Sequence, residues 1–350
     1  MRLDERRLMI RADASAEMGT GHVMRCLALA QAWKDSGGQA TFVTACGSKG
    51  LIQRLQQEGF AIHPVPAMHP DARDWATTQA ILSRFKDSWV VVDGYHFDEA
   101  YQQRVKEAGN KLLVIGSMTH RRNYHGDILL NAGLNAERIQ YSCAPYTRLL
   151  LGPKYLLIRR EFLVWTGWKR SFPAKGRQLL VTLGGSAPHS TILRVIRVIQ
   201  NAEIPGLHTT VVAGPVSCNG EPLPDVLSQF SVPLRLVCDP PDMSGIMAEA
   251  DLAITGGGTT AWELSFMGLP MLMIVMAENQ RNTAATMQRA GIAESLGWHE
   301  DLDCRTVAQR IKDLLDSPAM RASLSQAQRK TVDGMGASRV IAEMKDLCER

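Results

Sequence analysis

Asp251-Leu252-Ala253-Ile254-Thr255-Gly256-Gly257-Gly258-Thr259-Thr260-Ala261-Trp262-Glu263 reads as a strand, a glycine loop and the opening turn of a helix. Leu252 to Thr255 is a short apolar run of the kind buried on both faces of a parallel sheet. The glycines let the backbone come close to a ligand, and a helix start offers free amides at the positive end of its dipole. A diphosphate suits such a loop: the amides of Gly257 and Gly258, with the amides and hydroxyls of Thr259 and Thr260, donate to its oxygens without a metal or a lysine. There is no G-K-[ST], so this is not a Walker loop. Glu263 lies about one turn into the helix, where a carboxylate reaches the two hydroxyls of a ribose. The plain alternative is a solvated helix residue.

Working outward, Met271 to Val275 is a second apolar run, followed by Glu278-Asn279-Gln280 at the same edge of the sheet. Asn279 and Gln280 there suit a base or sugar hydroxyls, although turn and capping residues look the same. Further runs lie at Leu8–Ala12, Ala40–Thr44, Ala61–Val65, Trp89–Val92, Leu112–Ile115, Ile128–Leu130, Leu149–Leu151, Leu179–Leu183, Thr209–Ala213 and Leu234–Val237. Amphipathic stretches separate them, which is the alternation of an α/β fold. The pattern breaks between Gly152 and Gln178 and restarts at Leu179, which leads into Gly184-Gly185-Ser186. Each half therefore opens with a strand, a glycine loop and a helix. The expected fold is two Rossmann-like α/β domains facing across a cleft, residues 1–160 and 161–350. The helix-forming tail Leu315 to Arg350 is counted with the second domain, with a return to the first as the alternative.

The front loop, Asp13-Ala14-Ser15-Ala16-Glu17-Met18-Gly19-Thr20-Gly21-His22, is followed by apolar residues at Val23, Cys26, Leu27, Ala30 and Trp33, a helix packed on one side. Its first turn lies beyond the carboxyl end of a strand, where α/β sheets bind ligands, so Gly19 and Gly21 are ligand-binding candidates. His22 sits at that turn. A positive helix end disfavours the imidazolium, which leaves His22 fit to take a proton from water or a hydroxyl. A polar residue at a helix start is the competing reading. Asp13 is placed either to orient the imidazole or to cap the strand end. A dinucleotide fold wants an acid after the second strand, and Ala40–Thr44 leads instead to Ala45-Cys46-Gly47, which argues against a nicotinamide cofactor.

Bulk properties fit this picture. A chain of 350 residues exceeds what one core usually fills. Hydrophobic residues at 45% and a net charge of +4, scattered along the chain, point away from disorder and from nucleic acid. The cysteines Cys26, Cys46, Cys143, Cys218, Cys238, Cys304 and Cys348 are odd in number and contain no C-x-x-C, so thiols are expected rather than a disulfide framework or a zinc site. Met1 to Arg7 lacks a signal peptide's apolar stretch, and Leu269 to Ala277 is too short to span a bilayer. The expectation is a cytoplasmic protein with neither metal nor cofactor, without stable membrane insertion, binding a small anionic ligand.

Arg11-Ala12-Asp13, Gly19-Thr20-Gly21-His22-Val23-Met24-Arg25-Cys26, Val92-Asp93-Gly94-Tyr95, Asp127-Ile128-Leu129-Leu130-Asn131, Tyr155-Leu156-Leu157-Ile158-Arg159-Arg160-Glu161-Phe162 and Glu278-Asn279-Gln280 occur in that order along the chain. Together they resemble the UDP-sugar hydrolases of pseudaminic acid synthesis, which release UDP from UDP-2,4-diacetamido-2,4,6-trideoxy-β-L-altropyranose. Gly256 to Glu263 also resembles the lipid-linked muramyl-peptide N-acetylglucosaminyltransferases. The resemblance implies GT-B architecture and metal-independent hydrolysis at the anomeric carbon with inversion. It implies that His22 matches a catalytic histidine, Tyr95 an active-site tyrosine, and Asn279 a substrate-binding residue; Arg25 is counted with the substrate-binding set. Two departures bear on the sugar: Ser117-Met118 stands where the family usually carries acids, and its G-G-[ST]-D pattern ends here in Ala187.

Two rivals follow from the same residues. A UDP-sugar glycosyltransferase of this fold would use His22 to deprotonate an acceptor hydroxyl instead of water. A non-catalytic nucleotide-sugar binding protein would bind UDP and turn nothing over.

Overall fold

The computed structural model describes residues 7–15, 17–85, 88–116, 123–185, 187–214, 230 and 233–349. Ala16, Ser117, Met118, Ser186 and Cys218, named above, lie outside them. The chain divides into two compact units, Met1–Arg160 with Gly334–Arg350, and Glu161–Asp333.

The first unit is built on β1 (Arg7–Ala12), β2 (Gln39–Thr44), β3 (Ala61–Pro64), β4 (Trp89–Asp93) and β5 (Lys111–Ile115). Beyond a small sheet formed by β6 (Asn123–Tyr124) and β8 (Ser142–Cys143), it is completed by β7 (Ile128–Asn131) and β9 (Arg148–Leu151). The strands run parallel in the order β3-β2-β1-β4-β5-β7-β9. Unbroken Val and Leu runs make this possible, because alternate residues of one strand enter different cores. Leu8, Ile10 and Val91 pack with the helix Gly21–Asp35 through Val23, Cys26, Leu27, Ala30 and Trp33. Met9, Val90 and Val92 pack on the other face with Ile81, Tyr101 and Val105.

The helix Gly336–Glu349 buries Val340, Ile341 and Met344 in the first of these cores. Each such side chain contributes roughly 1.5–3 kcal/mol when fully buried, against about 0–1 kcal/mol for a partly exposed ion pair such as Arg148–Glu343. Apolar burial therefore holds this helix to the first unit, the alternative that stood beside the sequence boundary of 161–350 for the second domain.

The second unit contains β10 (Gln178–Thr182), β11 (His208–Ala213), β12 (Leu234–Cys238), β13 (Leu252–Gly256), β14 (Met271–Val275) and β15 (Glu294–Trp298). They are parallel in the order β12-β11-β10-β13-β14-β15. One face is covered by the helices His189–Asn201 and Cys304–Asp316, through Ile192, Val195, Ile196 and Ile199 and through Val307, Ile311, Leu314 and Leu315. The sequence of β15 carries no strand signal: it is a half-exposed edge strand with Ser295 and Gly297, and its register slips beside Met273 and Ile274. Cys238, at the exposed end of edge strand β12, is disulfide-bonded, a correction to the expectation of thiols throughout. Cys26, Cys46, Cys143, Cys304 and Cys348 are free.

Both sheets reverse their winding at one place, between β1 and β4 in the first unit and between β10 and β13 in the second. At such a switch point the loops leave in opposite directions and open a crevice beyond the carboxyl ends of the strands. Both glycine loops lie there. Among the described residues, no helix is long and apolar enough to cross a membrane, and no group of His, Cys, Asp and Glu could hold a metal ion.

Candidate functional site

At the first switch point the neighbouring strand ends place Ala12 beside Asp93. Gly19 takes the left-handed conformation, φ 76°, and its amide donates to Ser15 O at 2.8 Å, which folds the loop back before the helix begins at Gly21. Thr20, the residue preceding that helix, makes no side-chain cap, so the first-turn amides keep their donors. This turn delivers His22, 6% exposed, against Asp93, 0% exposed.

His22 Nδ1 lies 2.7 Å from Asp93 Oδ1. Arg25, one turn further along the helix, grips the same carboxylate with a fork, Nε on Oδ2 and Nη2 on Oδ1. Cys26 adds a thiol contact of 3.5 Å to Oδ2. Burial by itself would push the Asp93 carboxyl up; the Arg25 charge, with His22 and the hydrogen bonds, overcomes it and holds the group well below the usual carboxylate range. Burial likewise pushes the Cys26 thiol up, so it sits here as a neutral donor. An ionised Asp93 can accept only a proton carried on Nδ1, which leaves Nε2 as the ring nitrogen outside the pair. The Tyr95 ring stands edge-on to His22 with centroids 4.8 Å apart, and Tyr95 is 42% exposed. A fixed, nearly buried imidazole with an available Nε2 is equipped to take a proton from a hydroxyl.

Asp13 does not orient this histidine. Its Oδ1 accepts from Arg11 and, at 2.6 Å, from the Ala45 amide, and its Oδ2 accepts from His96 at 2.8 Å. Arg11 is itself buried between Asp13 and Asp74 and stacks on Phe97 at 4.8 Å. Asp13 therefore ties strand ends together, and Asp93, quoted above only as part of a motif, occupies the orienting place. An acid that ends a run as apolar as Val90-Val91-Val92 must be paired if buried, and that was the available signal. Its partner was not legible, because the neighbourhood of β1 and β4 depends on strand order. Arg25, counted with the substrate-binding set, has its Nε and Nη2 engaged by Asp93.

At the second switch point the helix Thr259–Met267 begins from Gly258 with no side-chain cap. A Cβ on Gly256 would stand 2.9 Å from Leu183 O, just past the end of β10, whereas one on Gly258 would meet nothing within 4 Å. Thr259 and Thr260 are half-buried at the first positions of the helix. Glu263 is buried, 6% exposed, which removes the solvated alternative. Gln280 Oε1 accepts from the amides of Gly257 at 2.9 Å and Met276 at 3.1 Å, so its carbonyl shapes the loop instead of meeting a ligand. Asn279 is exposed in the single turn Glu278–Gln280. The loop presents open backbone donors at a helix end, the arrangement that accepts a phosphate.

Two parallel-sheet α/β units of this kind are the GT-B architecture. MurG of Acinetobacter baumannii, a solved structure, superposes with a TM-score of 0.66 at 14% identity over 97% of this chain and 99% of that one. Residues 179–340 match the glycosyltransferase family 28 C-terminal domain. In sequence, the chain is 27% identical over 348 residues to the spore coat polysaccharide biosynthesis protein SpsG of Bacillus subtilis, covering 97% of this chain and 98% of SpsG. It is 22% identical over 291 residues to the UDP-2,4-diacetamido-2,4,6-trideoxy-beta-L-altropyranose hydrolase of Campylobacter jejuni, covering 81% and 97% respectively. The likeness to the hydrolases read from motifs is thus real but distant, and SpsG is the more similar of these two relatives.

Proposed function

We propose that this protein is a UDP-sugar hydrolase, releasing UDP from a UDP-linked diacetamido-trideoxy hexose in pseudaminic acid (nonulosonate) biosynthesis. The observation that carries the reading is the His22–Asp93 pair, which leaves one imidazole nitrogen as a base at the switch point of the first sheet. In the proposed reaction His22 Nε2 takes a proton from water as the water oxygen bonds to the anomeric carbon. The bond from that carbon to the diphosphate oxygen breaks, and UDP leaves with the electron pair. Attack opposite the leaving group inverts the centre. The amides of Gly258, Thr259 and Thr260, with the two threonine hydroxyls, stabilise the charge gathering on the diphosphate, while the Gly257 amide is engaged by Gln280. Glu263 holds the ribose, with Asn279 toward the base or sugar and Tyr95 beside His22.

A glycosyltransferase reading is favoured by the match of residues 179–340, and in it the same nitrogen takes the proton of an acceptor hydroxyl. UDP release from a panel of UDP-diacetamido sugars in the absence of any acceptor separates the two. Hydrolysis is expected, and it should fall on the order of 10²–10⁴-fold in His22→Asn with UDP affinity little changed. Glu263→Ala should weaken UDP binding about tenfold, roughly 1.4 kcal/mol. Turnover only with an added acceptor would replace the hydrolase by a transferase, and UDP binding without turnover would leave a binding protein.

A further inference from the structure

We infer that Arg25 is a positioning residue that supplies the positive charge demanded by buried Asp93, so that His22 can orient on that carboxylate while remaining an uncharged base. A carboxylate at 0% exposure has to be matched by a cation. With histidine as its only neighbour it would draw a proton onto the ring and convert the base into an imidazolium. Here the match comes from the guanidinium, whose planar fork covers both oxygens and which cannot lose its proton. Arg25 Nη2 lies 3.1 Å from His22 Nδ1, close enough for its charge to oppose a second positive charge on the imidazole.

The spacing is that of one helix face. His22, Arg25 and Cys26 stand at i, i+3 and i+4, all three on Asp93. The other elements around the ring bring Asp93 and Tyr95 from β4 and the loop after it. The nearby charges Arg11, Asp13, Asp74 and His96 are paired with one another. Arg25 is thus the cation that sits on the His22–Asp93 pair, and at 22% side-chain exposure it is more a wall of the site than a contact for ligand.

The test is an NMR titration of the His22 ring in the whole protein, its signal assigned by loss in His22→Asn. Arg25→Gln keeps an amide donor and removes the charge; its His22 midpoint should rise by about one pH unit. Arg25→Lys keeps the charge and should move it by less than half as much. An unchanged or lowered midpoint in Arg25→Gln would overturn the inference, as would equal shifts in the Gln and Lys variants. Should Arg25→Gln fail to fold, the same charge is read by comparing Asp93→Asn with Arg25→Gln/Asp93→Asn. The single variant should titrate about one unit below the double, and equal midpoints would again overturn it. The inference rests on the proposed base only through activity: the acid limb of UDP release should move with the titration. A titration that responds as expected in a protein that hydrolyses no UDP-sugar would keep the role of Arg25 and discard the hydrolase.

Discussion

The two glycine loops occupy equivalent switch points and are made of different material. The front loop works through side chains: a helix face carries His22, Arg25 and Cys26 onto Asp93, all drawn into a water-poor corner. The back loop works through backbone: the amides after Gly258 have no side-chain cap, and Gln280 holds the turn in shape. Ionised side chains in low dielectric can move a proton, whereas oriented amides can hold negative charge without moving one. The two loops should therefore fail differently, one in rate and the other in affinity.

The largest separation is expected from Asp93→Asn. An amide can present oxygen to Nδ1, but it leaves the Arg25 charge uncompensated and His22 poorly oriented, so kcat should fall on the order of 10²–10⁴-fold. UDP affinity, measured by calorimetry, should stay within about twofold, roughly 0.4 kcal/mol. A parallel loss of both would break the division of labour. The same variant changes acid stability. Because the folded Asp93 carboxyl lies below its ordinary value, its contribution is complete above about pH 4 and is lost as pH falls through the lower folded value. Urea unfolding of Asp93→Asn should show a flatter decline on the acid side than the parent, from a lower starting stability.

The next effect belongs to Gly256→Ala. The added Cβ would stand 2.9 Å from Leu183 O, a backbone atom one residue past the Thr182–Thr255 pair of β10 and β13. Forcing the two strand ends apart should cost about 1–3 kcal/mol in denaturant unfolding. UDP affinity should fall with it, while the His22 titration in the other unit stays where it was. A variant as stable as the parent would show that the close approach of β10 and β13 is not needed.

How much of this was legible in the sequence follows the same division. Parallel strands announce themselves because each is an uninterrupted apolar run, and the back loop because its glycines and hydroxyls are contiguous. Edge strand β15 was not visible, since Glu294, Ser295 and Gly297 carry no burial pattern. The docking of Val340, Ile341 and Met344 is legible only as an alternative, because their spacing marks a helix with one apolar face but not which core receives it. The front site was half legible. His22 and Arg25 share a loop motif, but Asp93 is 71 residues from His22, and only the placing of β4 beside β1 makes it the partner in place of Asp13. Local chemistry can be read from neighbours in sequence, whereas a side-chain pair across strands requires the topology first.

Gly258→Ala should have the smallest effect and is the sharpest probe of the back loop. Gly258 has φ −92° and ψ −162°, a backbone that alanine adopts freely, and its Cβ would meet nothing within 4 Å. Alanine is a poorer helix-capping residue than glycine, while a less flexible unfolded chain favours it, so stability should stay within about 0.5 kcal/mol of the parent. The open space beside Gly258 is where a diphosphate pressed against the first amides of the helix would sit. A methyl group there should weaken UDP by about threefold to tenfold, roughly 0.7–1.4 kcal/mol, without touching the fold. Equal UDP affinity in the two proteins would place the phosphates elsewhere and remove the backbone grip from the comparison, whereas the charge balance at His22 would stand unaltered.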